Sequence, residues 1–360
     1  MMRLPTKTLL PLVALFAIGW CQNANGQVSL ESYNSLVQRM DQFEAERYSE
    51  MPTQNVMTRQ VQPSGWFVNY ENVVLMPMWS SNTAGVTQDT QLPANIPESS
   101  FSNEFQSKLT YSPRIEIGYA PQNDGWGFRA RYWQFEHDTN TVIRGDVEVN
   151  FADDPDIAID DNGMGIGATQ QMKLHTWDLE ATSRADICSL TLIGGGGIRV
   201  VDIEHMGRWT DFVADGERAT LRNKFSGAGP TIFLEAARPL DACGRWKLFS
   251  KARGSVLAGN QDFKIFADSD ASTARIDDFL RVSNENSFLP IAELQLGTSY
   301  ARETPWGLLS LSLAWEAQVW FNSGVAAANE GAGKDSDDFQ AQRTADMLLH
   351  GFNFGIGLSR

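Results

Sequence analysis

The sequence predicts an all-β protein: an antiparallel transmembrane β-barrel of about ten strands, with short periplasmic turns, long outer loops and a short N-terminal helix. Three observations predict it. Segment after segment alternates apolar and polar side chains with period two, as a strand does when one face meets hydrocarbon and the other water. The connections between these segments alternate strictly, one short and turn-like, the next long and polar. Past the N-terminus no apolar run is long enough to cross a bilayer as a helix, which leaves strands to do it.

Residues 1–26 read as a secretory signal. Arg3 and Lys7 form the basic start, Leu9–Trp20 the apolar run, and Ala24-Asn25-Gly26 the small-residue cleavage site. Bulky Trp20 before Cys21 argues against a lipoprotein. Residues 27–62 then carry Leu30, Tyr33, Leu36, Val37, Met40 and Phe43 at roughly helical spacing. They read as a periplasmic helical leader ending before Pro52, with a polar linker behind it; a loosely ordered leader is the plainer reading.

The barrel is expected over residues 63–360. In Trp66–Met76, Trp66, Val68, Tyr70, Val74 and Met76 share a face. In Thr110–Ala120, Ile115, Ile117 and Tyr119 oppose Arg114 and Glu116. Trp126–Glu136 sets Trp126, Phe128, Ala130 and Tyr132 against Arg129 and Arg131. Met172–Ala185 sets His175, Trp177, Leu179 and Ala181 against Asp178, Glu180 and Arg184. Ser189–Ile203 sets Leu190, Leu192, Ile198 and Val200 against Thr191 and Arg199. In Lys224–Ala237 the opposed polar residues are Thr231 and Glu235, in Trp246–Ala258 Lys247, Lys251, Arg253 and Ser255, and in Leu289–Ala301 Glu293, Gln295 and Ser299. Leu308–Phe321 has Ser310, Ser312, Glu316, Gln318 and Trp320 on one side and an apolar row on the other. Met347–Leu358 ends the series, with Phe352, Phe354, Ile356 and Leu358 on its apolar face.

Between them, Ala120–Gly125, Arg184–Cys188, Arg238–Arg245 and Arg302–Pro305 are short. Pro77–Leu109, His137–Gln171, Glu204–Asn223, Gly259–Phe288 and Asn322–Asp346 are long and polar. Outer-membrane barrels have this asymmetry, and an even strand count puts both chain ends in the periplasm.

The order of strands also carries a family resemblance. SPRIEIGY…GWGFRARYWQFEHD, WDLEATSR, GGGGIRV, FSGAGPTIFLEAARPL, KLFSKARGSVLAG and LPIAELQLGTSY together resemble the pore-forming outer-membrane proteins of the Legionella major outer membrane protein type, in a planctomycete-like form. The resemblance spans about residues 65–358. It implies an outer-membrane porin with no enzymatic activity. Such barrels commonly finish on an aromatic residue; this chain finishes Leu358-Ser359-Arg360, with Phe352 and Phe354 keeping the aromatic spacing nearby.

The candidate pore-lining residues are the charges of the polar face: Arg114, Glu116, Arg129, Arg131, Asp178, Glu180, Arg184, Arg199, Glu235, Arg253, Glu293 and Glu316. Facing lipid, one such arginine would cost about 2–4 kcal/mol at mid-membrane; inside, it can pair with a carboxylate. The residues alone leave open a narrow path past a charge ladder or a plug made of ion pairs, because about eight strands are filled by side chains and 16–18 leave a channel. The resemblance implies the pore, the alternative being a structural or adhesive barrel that displays acidic loops.

Charge narrows the partners. The net charge is −15, and removing residues 1–26 takes away Arg3 and Lys7 and no acid, giving −17. Nucleic acid is therefore excluded, since phosphate binding needs clustered cations. The expected partners are outer-membrane lipid and small hydrophilic solutes or cations, which acidic outer loops such as Asp153–Asp156 would concentrate; exposed aromatic rows leave room for a homo-oligomer. No cofactor and no metal is expected. The loop acids do not match an EF-hand, and His137, His175, His205 and His350 lack metal spacing. Two cysteines remain after cleavage, Cys188 and Cys243, each in a short turn, and a disulfide between them is arithmetically allowed.

Overall fold

The computed structural model describes residues 65–80, 83–88, 100–120, 125–143, 147–150, 158–161, 165–187, 189–211, 218–268, 278–324 and 345–360. The signal sequence, the expected helix over 27–62 and Cys188 lie outside them. Fourteen strands run through the described residues in chain order: β1 (Gly65–Trp79), β2 (Thr83–Gln88), β3 (Ser100–Glu104), β4 (Thr110–Ala120), β5 (Trp126–Ile143), β6 (Val147–Asn150), β7 (Ala158–Asp161), β8 (Ile166–Ile187), β9 (Leu190–Asp211), β10 (Arg218–Pro239), β11 (Trp246–Asp268), β12 (Asp278–Thr304), β13 (Gly307–Gly324) and β14 (Ala345–Ser359).

Ten of these strands close into one antiparallel barrel, β1-β14-β13-β12-β11-β10-β9-β8-β5-β4, and they coincide with the ten segments expected from the alternation. Closure leaves no free edge, the condition for strands to sit in lipid. β1 is the closing strand, with Tyr70 opposite Ile356 of β14 on one side and Ile115 of β4 on the other. Trp66 and Arg360 exchange backbone hydrogen bonds of 2.9 and 2.8 Å, fixing the described start and the C-terminus at the short-turn end. There Gly307 takes φ 134°, and a Cβ on it would lie 2.3 Å from the Ser359 carbonyl oxygen. Only glycine fits.

Two features differ from the sequence expectation. First, β5 and β8–β12 run well into the connections read as long loops, so that Glu204–Asn223 is mostly strand. The apolar–polar alternation inverts there. On β9, Ile198 and Val200 point outward and are exposed, whereas higher up Val201, Ile203 and Trp209 point inward and are buried, with Asp202, Glu204 and Arg208 outside. Above the hydrocarbon a wall must be polar outside, so its apolar residues turn inward. Second, the connections contribute a separate sheet, β3-β2-β6-β7, in which Val86 of β2 sits opposite Glu148 of β6.

The disulfide allowed by the cysteine count is not formed: Cys243 is a free, exposed thiol. Its turn follows β10 and that of Cys188 follows β8.

Candidate functional site: a layered lumen

Three layers follow one another inside the barrel, and a single strand shows all of them. The inward residues of β13 are Ser310 and Ser312, then Glu316 and Gln318, then Trp320. At the short-turn end lies a cavity of about 270 Å³, with Phe67, Arg184, Lys247, Phe249, Leu308 and Leu358 in its walls and Glu71, Glu116, Arg129, Glu235 and Lys251 at its inner end.

The middle layer is an ion-pair network. Arg114 donates from Nη1 to Glu71 (2.9 Å) and, from both terminal nitrogens, to Glu316 (3.0 and 2.5 Å). Glu316 also accepts from Gln295 (2.7 Å), Gln318 (2.6 Å) and Asn353 (3.2 Å). Arg131 and Arg199 share Asp178, at 2.7 Å for the first and 2.6 and 3.1 Å for the second. Arg253 grips Glu180 through two nitrogens (2.9 and 3.1 Å) and reaches Glu293 (3.1 Å), which also pairs with Arg131 and Arg199. Arg129 donates to Glu180 and Glu235, and its guanidinium lies 3.9 Å from the centre of the Phe233 ring. Gly195 makes that stack fit: a Cβ there would stand 2.7 Å from the tip of Phe233.

This network lies level with the lipid-facing belt. On β8, Trp177 and Leu179 point outward and are 57% and 67% exposed, while Asp178 and Glu180 between them are 1% and 3% exposed. Charges are tolerated at that depth because each meets an opposite charge in good geometry. Six cations, the arginines named with Lys251, face seven carboxylates, Glu71, Glu116, Asp178, Glu180, Glu235, Glu293 and Glu316, among the described residues. A space of about 20 Å³, about the size of one water, opens among Glu71, Glu116, Arg131, Glu235, Lys251, Arg253 and Glu293.

The third layer, toward the long-loop end, is apolar. Val73, Leu75, Trp133, Phe135, Leu174, Val201, Ile203, Leu257, Leu289, Ile291, Trp320 and Leu349 fill the lumen and are buried. The two upper layers are sewn together by indoles: Trp320 Nε1 donates to Gln318 (3.0 Å), and Arg114 lies 5.1 Å from the centre of the Trp133 ring.

All twelve charges singled out in the sequence face the lumen. Eleven belong to the network; Arg184 sits apart in the cavity wall, hydrogen-bonded to Asp186 at 2.8 and 3.4 Å. Glu71 was missed, although strand pairing sets it directly opposite Arg114 and its parity is inward. The neutral partners Gln295, Gln318 and Asn353 were missed as well, and for them the sequence offers only parity. Among the described residues no three His, Cys, Asp or Glu side chains converge as a metal cage.

Residues 60–359 match the family described as the Legionella pneumophila major outer membrane protein precursor. No curated protein matches the chain. Among solved structures, the chain is similar to the outer membrane protease OmpT of Escherichia coli, at 11% identity over 84% of this chain and 98% of that one, with a TM-score of 0.39. A deletion mutant of the TodX monoaromatic hydrocarbon channel shares 8% identity over 86% of this chain and 95% of that one, TM-score 0.29. OmpT of Vibrio cholerae, an outer-membrane protein, shares 8% over 83% and 99%, TM-score 0.13.

Proposed function

The chain belongs to the Legionella pneumophila major outer membrane protein family and is an outer-membrane β-barrel; from that premise we propose that it is a porin-like channel for passive diffusion of ions or small hydrophilic solutes, favouring cations and shut in the conformation described. One observation carries the proposal. The lumen is sealed by apolar side chains in one layer and by paired charges in the next, on the same strands. A barrel that needed only filling could use apolar residues throughout, since well-packed hydrophobic side chains replace buried ion pairs at no loss of stability or with a gain. Charges kept at membrane depth are accounted for by a route that ions or polar solutes must pass.

On this reading the network sets selectivity and the apolar layer is the gate, the two devices channels commonly combine. The one-carboxylate excess in the network, the acidic loops and the overall charge of −15 all favour cations at the mouth. Residues 1–26 direct export, both chain ends face the periplasm, and the pore-lining charges are those of the network with Arg184. No reaction and no cofactor enters this function.

The complete apolar layer favours a second reading, a non-conducting structural or adhesive barrel that displays acidic loops. Reversal potentials across a planar bilayer under a salt gradient test the first: a potential of cation-selective sign supports it, and an anion-selective sign overturns the selectivity.

A further inference from the structure

At the loop end of the lumen three side chains stand in one row that no sequence spacing announces. β5, β8 and β9 pair so that His137 lies opposite Met172 and Met172 opposite His205. Directly opposed residues on neighbouring strands hold their Cβ atoms about 4.5–5.5 Å apart. All three face inward and are buried. Trp79 reaches the row from β1. Its indole is stacked on His205, with centroids 5.5 Å apart and planes 9° from parallel, and lies 6.0 Å from the His137 ring. On the outside of the wall the neighbouring row is Glu136, Lys173 and Glu204, so these residues sit above the hydrocarbon.

Hydrogen bonding engages one nitrogen of His137 and leaves the other without a partner. Thr110 Oγ1 stands 2.8 Å from Nδ1 and donates its own proton to the Lys108 carbonyl, at 3.4 Å. With that proton given to the carbonyl, the hydroxyl accepts from Nδ1–H, the tautomer in which Nε2 keeps its lone pair. That atom is buried and makes no hydrogen bond. A buried acceptor without a donor needs a reason. Metal-binding histidines supply one, because they hold one nitrogen to the ion while an oxygen takes the proton of the other.

We propose that His137, Met172 and His205 form a binding site for a soft monovalent cation, Cu(I) or its redox-inert counterpart Ag(I), with the Trp79 indole against it. A thioether and two imidazoles suit a soft ion. The row holds no carboxylate, so hard divalent cations find no oxygen cage. A single positive charge suits the apolar surroundings, and an indole face attracts a cation. The inference is independent of whether the barrel conducts.

Purified full-length protein carrying Cys21→Ser, Cys188→Ser and Cys243→Ser, which removes all three competing thiols, is titrated with Ag(I) by calorimetry and tryptophan fluorescence. One tight Ag(I) per chain with quenching is expected. Met172→Leu, which preserves volume, and His137→Gln each weaken binding at least tenfold, whereas His350→Gln, on β14, leaves it unchanged. Circular dichroism checks each fold; should His137→Gln fail to fold, Met172→Leu alone decides. Absence of stoichiometric Ag(I) binding, binding unaffected by Met172→Leu, or equal affinity for Zn(II) overturns the proposal.

Discussion

Arg114 and Glu316 meet inside the barrel from positions 202 residues apart, through hydrogen bonds of 3.0 and 2.5 Å. Glu316 is wholly buried, and through its carboxylate β13 is joined to β4, β12 and β14. Glu293 on β12 does the same for β5, β9 and β11, through Arg131, Arg199 and Arg253. The Arg114–Glu316 pair marks the boundary where charge gives way to the apolar layer.

Removing one partner of this pair should be worse than removing both. Glu316→Ala leaves Arg114 with Glu71 alone, and an uncompensated buried charge costs about 3–5 kcal/mol. The double variant Arg114→Met, Glu316→Leu should recover much of that. Urea unfolding of the reconstituted barrel measures both; a double variant no more stable than Glu316→Ala would contradict the pairing.

Phe233 carries the Arg129 guanidinium on its ring, and Gly195 leaves the room it needs. Phe233→Leu keeps most of the buried area and forfeits the cation–π contact, a loss of about 1–2 kcal/mol. Gly195→Val drives a branched side chain into the ring and should lose the folded barrel. The gel mobility of unheated samples separates the two: Phe233→Leu migrates as folded and Gly195→Val as unfolded.

Within the hydrocarbon belt, much of the structure was legible in the sequence. Trp177, Leu179 and their alternates Asp178 and Glu180 announce a wall between lipid and lumen, because water and hydrocarbon demand opposite side chains. The signal failed where the demand changed. On β9 the inversion from Ile198 outside to Ile203 inside erased the pattern, so strands that rise above the membrane read as loops. The β2–β6 pairing was out of reach because it joins two separate connections. Trp320 was placed on the polar side of its strand and Trp133 and Phe135 were not singled out, because their meeting in one seal depends on a register that only closure fixes. The His137–Met172–His205 row is hidden in the same way: its spacing lies across strands.

Glu116 stands at the inner end of the short-turn cavity, hydrogen-bonded to Asn69 at 3.1 Å and 3.8 Å from Arg129. Glu116→Gln removes one negative charge there while keeping the shape. Cation preference, read as the reversal potential under a salt gradient, should shift toward zero. An unchanged potential would mean that permeating ions do not pass this carboxylate.

The central claim is that a charged route is held shut by the apolar layer above it. Trp320 is fully buried in that layer and anchored to Gln318, and Trp320→Ala opens a gap beside the network. Single-channel recording of the purified protein and of Trp320→Ala in planar bilayers tests the claim most directly. Rare, small, cation-selective steps are predicted for the unaltered protein, with steps both larger and more frequent for Trp320→Ala. Membranes that stay silent with both proteins, each shown to be folded and inserted, would contradict it.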